Sequence, residues 1–312
     1  MSGKTALLTL TSALLLHCSG EAPALPAMMM PMPAPGPTPP KEVPPELPQP
    51  TRLPPGTFVR IAPGSFFMGT STGDECRRTN NEDRHRVTLT HAFEISTTEV
   101  TKGQYQQLMG EDPGAFPECG ASCPVDQRSW HHAAAYANAA STYAGLPSCY
   151  LCTGSGDGQR CTARGEAGTI YACAGYRLPT EAEWEWCARG GRSGEITYKG
   201  NVVPDDKHYG KISRELNRSE SPDPDRHARI GNDFGLVGFG VHAELCRNRY
   251  AVPPDLAPAV RTYEDRVIRG GAGATYKWQN PGEWQMLLTA FRQRAGTGLL
   301  DAVGIRPVRS VT

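Results

Sequence analysis

"YRLPTEAEWEWCARGG", residues 176–191, is the stretch on which the reading of the fold turns. Arg177-Leu178-Pro179-Thr180 ends an extended run, because the residue before a proline is pushed toward extended backbone. Thr180 then has the chemistry of a helix N-cap, and Glu183 follows at the spacing of a capping box. The helix that this predicts is acidic in its first turn, carries Trp184 and Trp186, and stops at Gly190-Gly191. Two tryptophans beside a tight cap mark a helix that other parts of the chain pack around.

Around it, the chain divides by composition. Lys4 precedes a short apolar run, Ala6 to Leu16, too short to span a bilayer, so residues 1–18 read as a signal peptide. Cys18 follows at once, and with Leu15 three residues before it the segment resembles a bacterial lipobox, which makes Cys18 the expected lipidation site. His17 departs from that pattern, since the position before a lipidated cysteine is normally small. Residues 19–56 hold half of the 28 prolines and read as a disordered, polyproline-like linker. Met28-Met29-Met30 belong to that linker rather than to a copper cluster, which needs spaced thioethers. Residues 57–312 read as one domain.

The 32 basic and 32 acidic residues balance, which argues against a nucleic-acid partner held by counterion release. Ten cysteines in an exported chain imply a disulfide framework. Cys119 and Cys123 have the spacing of a small-loop bridge, while Cys149, Cys152, Cys161 and Cys173 lie in a Gly-rich stretch without hydrophobic periodicity, where staples are needed. A zinc ribbon is the rival for Cys149-Tyr150-Leu151-Cys152, but no second CxxC matches it. Setting Cys18 aside leaves an odd number, so some thiol stays free; Cys187, in the capped helix, and Cys246, in an apolar run, are the expected ones. Buried thiols of that kind are inert.

Within the domain, Phe58–Ile61, Gly64–Gly69, His85–Thr90 and Ala92–Ile95 alternate as strands. Helices are expected over Gly103–Met109, from Trp130 onward, and over 180–190. The class is α+β with many loops. His131 and His132 are adjacent, so on a helix they point about 100° apart and cannot share a metal; surface or capping roles are expected of them.

Several segments together resemble one family. They are Gly64-Ser65-Phe66-Phe67-Met68-Gly69, Thr98-Glu99-Val100-Thr101, Pro124-Val125-Asp126-Gln127-Arg128-Ser129-Trp130 and Tyr176 to Glu185. Asn232-Asp233-Phe234-Gly235-Leu236, Glu244-Leu245-Cys246-Arg247, Arg266-Val267-Ile268-Arg269-Gly270-Gly271 and Gly304-Ile305-Arg306 follow in order. The resemblance is to the formylglycine-generating enzyme, or sulfatase-modifying factor, domain. It implies a loop-rich α+β fold, distantly similar to C-type lectins and low in regular secondary structure. It also implies an oxidase that converts a sulfatase cysteine to formylglycine with oxygen and copper, the metal held by two thiolates behind the Arg-Gly-Gly element.

Here the residues depart from the family. Thr275 and Asn280 stand where the two thiols are expected, and no cysteine follows Cys246. A hydroxyl and an amide are hard, neutral donors and cannot replace thiolates for Cu(I). The loop instead carries Tyr276, Lys277, Trp278 and Trp284, a set suited to a groove for peptide or polysaccharide. A structural calcium is implied by a family run matched here by Gly235 to Cys246; Val241 replaces its asparagine and only Glu244 survives, with Asn217 as a candidate at a second site. The expectation is therefore an exported, non-catalytic family member at the bacterial envelope, periplasmic or outer-membrane-anchored. It would touch a membrane only through a lipid on Cys18, hold no cofactor beyond that calcium, and bind a peptide, a polysaccharide or an envelope protein. A working copper oxidase and a structural spacer are the alternatives.

Overall fold

The computed structural model describes residues 47–69, 83–111, 120–164, 167–192, 232–239, 243–249, 266–270, 292–295 and 303–311. Strands β1 (Phe58–Ile61), β2 (Gly64–Met68), β3 (His85–Leu89) and β4 (Phe93–Ser96) lead to helices α1 (Lys102–Met109) and α2 (Trp130–Tyr143). The hairpin β5 (Tyr150–Thr153) and β6 (Arg160–Ala163) follows, then β7 (Tyr176–Arg177) and helix α3 (Glu181–Ala188). Strands β8 (Ala243–Arg249), β9 (Arg266–Arg269), β10 (Arg292–Ala295), β11 (Val303–Gly304) and β12 (Val308–Ser310) complete the elements. The class is α+β, with few helices, small sheets and long connections. Among the described residues no helix is long and apolar enough to cross a membrane.

One sheet has the order β1-β4-β12-β7 and a second β10-β9-β8-β11; β2-β3 and β5-β6 are two-stranded. Side chains alternate across the first sheet. Phe93, Ile95 and Val308 point into a core shared with Trp184, Cys187 and Ala188 of α3. On the opposite face Arg309 meets Glu94, directly across from it, at 2.9 Å. A larger core is built on α2, whose run of alanines lets neighbours approach nearly all round; Trp130, Ala133, Ala134, Tyr136 and Ala137 pack with Tyr150, Tyr176 and Leu245.

The disulfides run Cys149–Cys173 and Cys152–Cys161, the latter joining residues directly opposed across β5-β6. Cys123 is disulfide-bonded as well, whereas Cys119 lies outside the described residues. Cys187 and Cys246 are buried and outside any disulfide, as their surroundings in the sequence implied.

The structure differs from the sequence reading at the end of the expected linker. Thr51 donates from its backbone N–H and its hydroxyl to the Ala144 carbonyl, at 2.9 and 3.1 Å. Arg52 donates to the Tyr143 carbonyl, with its guanidinium 3.6 Å from the centre of the Tyr143 ring. Arg309 reaches Gln49 Oε1 at 3.4 Å, and Pro54 is buried. Residues 47–56 thus form a strap that finishes the C-terminal end of α2, supplying donors and a cation where helix carbonyls lack partners. Proline content alone did not reveal this, because extended chain docks as readily as it dangles.

Candidate functional site

The elements around α3 explain where the site falls. Thr180 accepts from Glu183 N at 3.1 Å and Glu183 Oε2 accepts from Thr180 N at 2.7 Å, the reciprocal cap that the sequence predicts. Glu183 also takes Arg177 in a two-pronged pair at 2.7 and 2.8 Å, both side chains fully buried. Burial alone would raise the Glu183 pKa; the guanidinium and the cap outweigh it and hold the carboxyl below its ordinary value.

Glu185, one turn short of the helix end, is also fully buried. Its Oε1 accepts from Gly69 N at 2.8 Å and from Arg189 Nη2 at 2.6 Å, and its Oε2 accepts from Arg269 Nη2 at 2.8 Å. Arg269 is shared with Glu181 at 3.0 Å, and Arg189 donates back to the Gly69 carbonyl at 3.1 Å. Asn232 donates from Nδ2 to the Cys187 carbonyl at 2.6 Å, capping the same helix, and Arg192 pairs with Asp233. The chain positions next to residues 70–82, 193–231 and 271–291 therefore meet at the C-terminal end of α3. The positions flanking residues 271–291 lie side by side, because Arg269 pairs with Arg292 across β9-β10.

That convergence is the place where the family resemblance puts its chemistry. Of the residues singled out from the sequence, Thr275, Tyr276, Lys277, Trp278, Asn280 and Trp284 lie outside the described residues, and so do Asn217 and Cys18. What is described is the root from which the loop departs, Arg269-Gly270.

Glu244, the weak calcium candidate of the sequence, is engaged inside the protein. Arg306 donates to both its oxygens, at 2.8 and 2.9 Å, and Trp184 Nε1 donates at 2.9 Å; both carboxylate and guanidinium are fully buried. With one cation already in front of both oxygens, this carboxylate serves the core. His131 and His132, of which surface or capping roles are expected, are both buried. His131 Nδ1 accepts from Cys161 N at 3.0 Å. His132 keeps the capping role, with Nδ1 2.7 Å from Ser129 Oγ, and burial lowers its pKa.

The copper implied by the family requires soft thiolate donors, and the two positions that the resemblance assigns to them carry none. Thr275 and Asn280 are hard and neutral. Cys187 and Cys246 are wholly interior, and burial pushes the Cys187 thiol well above its ordinary pKa, which disfavours the thiolate a metal would need. Among the described residues no group of three or more His, Cys, Asp or Glu is placed to hold a metal ion.

Sequence reasoning missed the hub at Glu185 and the pair Arg306–Glu244. The Glu185–Arg189 contact was legible, four residues apart on one helix. The others join positions roughly 60 to 120 residues apart, for which a single sequence gives no signal.

This arrangement defines a scaffold of one fold class, built around a capped helix whose buried carboxylates gather distant parts of the chain. Residues 43–311 match the sulfatase-modifying factor enzyme 1-like domain, and the chain belongs to that family. It is 35% identical over 130 residues to the chaperone protein LppX of Paenibacillus barcinonensis, a match that takes in 38% of this chain and 44% of that protein. The chain thus spans less than half the length of that relative. Among solved structures, variable protein 1 of Treponema denticola superposes with a TM-score of 0.56 at 24% identity, over 81% of this chain and 94% of the other. PvdO from Pseudomonas aeruginosa gives 0.56 at 21% over the same shares, and CarF 0.51 at 22% over 83% and 100%. These likenesses show a shared fold.

Proposed function

We propose that the protein is an exported, non-catalytic member of its family, held at the bacterial envelope, that binds a ligand with the loop rooted at Arg269. The observation that carries this is the state of that root. Arg269 is committed to Glu181 and Glu185 inside the protein, and the chain beyond it offers Thr275 and Asn280 in place of two thiols. A fixed root followed in sequence by Tyr276, Lys277, Trp278 and Trp284 suits binding: aromatic rings supply contact area at low entropic cost, and a lysine supplies charge. A polypeptide is favoured over a polysaccharide by the similarity to a protein named a chaperone. Export is supported by the apolar N-terminal run and by disulfides, which persist in oxidising compartments.

The test is a peptide and glycan array probed with the purified protein and with Tyr276→Ala and Trp278→Ala. Binding to peptides that falls at least about tenfold in the variants supports the reading. Binding that is absent, or indifferent to both changes, points to a structural spacer. Copper-dependent oxygen consumption with a cysteine-containing peptide would overturn it in favour of an oxidase.

A further inference from the structure

We infer that Glu185 is a positioning residue that holds two distant chain positions, Gly69 and Arg269, in one register, so that neither root can shift without the other. The inference deepens the proposed function, which puts ligand contacts after Arg269, by naming what holds that residue.

The geometry is specific. One carboxylate divides its two oxygens: Oε1 receives the backbone N–H of Gly69, the last described residue before residues 70–82. Oε2 receives Arg269, which precedes residues 271–291 by one glycine. The groups sit in a fully buried setting where an unmatched charge is costly, so a partner that leaves is not replaced by water. Arg189 locks the arrangement from a third side, bonding Glu185 and the Gly69 carbonyl with the same nitrogen. Gly69 has a positive φ of 85°, a conformation other residues resist, so its N–H is aimed at Glu185 by the backbone itself. A displacement of Arg269 pulls on a carboxylate that is also the acceptor for Gly69. The two roots are far apart in sequence, yet they share one side chain. Residues 193–231 are different: their near end is fixed to α3 through Asn232 and Asp233, without Glu185.

Limited trypsin digestion tests this without any ligand. Arg77 and Arg78 lie within residues 70–82, Lys277 within 271–291 and Lys207 within 193–231. Glu185→Gln is expected to speed cleavage at Arg77/Arg78 and at Lys277 together, by roughly tenfold, because cleavage follows the population of locally opened chain. Cleavage at Lys207 should stay near its original rate. Arg269→Gln is the sharper variant, since it touches only one root directly; coupling through Glu185 requires Arg77/Arg78 to accelerate with it. Glu183→Gln breaks a buried pair on the same helix that holds neither root, and it should lower Tm without altering the ratio of the sites. Acceleration at Lys277 alone in Arg269→Gln would overturn the inference. So would the same pattern of cleavage in Glu183→Gln, since that would reduce the effect to lost stability. A failure of ligand binding in the array leaves these rates untouched, so the two readings fail separately.

Discussion

Glu99 and Gly304 show how single residues of the family segments earn their identity. A Cβ on Gly304 would lie 2.1 Å from Glu99 Oε1 and 3.0 Å from its Cδ, so the glycine is the space that the buried glutamate occupies. Arg306, two residues on, is also close enough for Glu99 to favour its charged form. Two segments that look unrelated in sequence, Thr98–Thr101 and Gly304–Arg306, are thus halves of one contact, tied further by the Val100 N–H donating to the Ile305 carbonyl at 2.7 Å. Gly304→Ala should destabilise the fold by about 1–3 kcal/mol, the range for forcing extra volume into a packed interior. Urea unfolding checks this: a midpoint equal to the parent's would show that Glu99 relocates at no cost. Cys187 illustrates the converse. Its thiol sits in the core beside Trp184 and Ala188, and desolvation keeps it protonated, so it contributes volume and no chemistry.

At the scale of the element, α3 owes its start to Thr180 and Glu183 and its end to Asn232, which comes from a distant part of the chain. Thr180→Ala removes one half of the reciprocal cap and should cost about 1 kcal/mol, read as a drop in unfolding free energy with an unchanged denaturant slope. Thr180→Ser should restore most of it, because serine offers the same acceptor. The contrast between the two ends explains what the sequence could reveal. The cap at the start is local, built from residues three apart, and was readable, as were the strands at Phe58–Ile61 and His85–Leu89, where alternation is a property of neighbours. The helix of small residues from Trp130 was readable for the same reason. Its burial on nearly all sides was not, so of the surface and capping roles open to His131 and His132 the surface one gives way to the interior. The same limit applies to Glu244, whose carboxylate was legible as an oxygen donor but whose partner, Arg306, lies far along the chain. Which cysteines pair was open for the same reason, since four in a row permit three connectivities.

For the whole molecule, the strap at residues 47–56 changes where the fold begins. It passes from Arg309 on the face opposite α3, over the end of α2, to β1. A protein starting at residue 57 should therefore be less stable than one starting at 47, losing the Thr51 and Arg52 contacts to α2 and the Gln49 contact to Arg309. A fall in Tm of several degrees is expected, in keeping with about 1–2 kcal/mol from a lost helix terminus. Equal Tm values for the two truncations would show that the strap merely rests on the surface. The buried pairs Arg177–Glu183, Arg269–Glu185 and Arg306–Glu244 act at the same scale, since each joins different parts of the chain to α3 or to the strand beside it. Their stabilising effect is conditional: removing one partner strands the other, at a cost of about 3–5 kcal/mol.

That last property bears on how the protein can change over generations. The side chains that fix the loop roots, Glu181, Glu185, Arg189, Arg269 and Asn232, all lie outside residues 70–82, 193–231 and 271–291. Mutation at a root is punished at once by a stranded interior charge or an open helix end. Mutation between the roots meets no such penalty from these contacts. The scaffold thus concentrates the cost of substitution at a few interior positions, and the stretches between them carry none of these contacts.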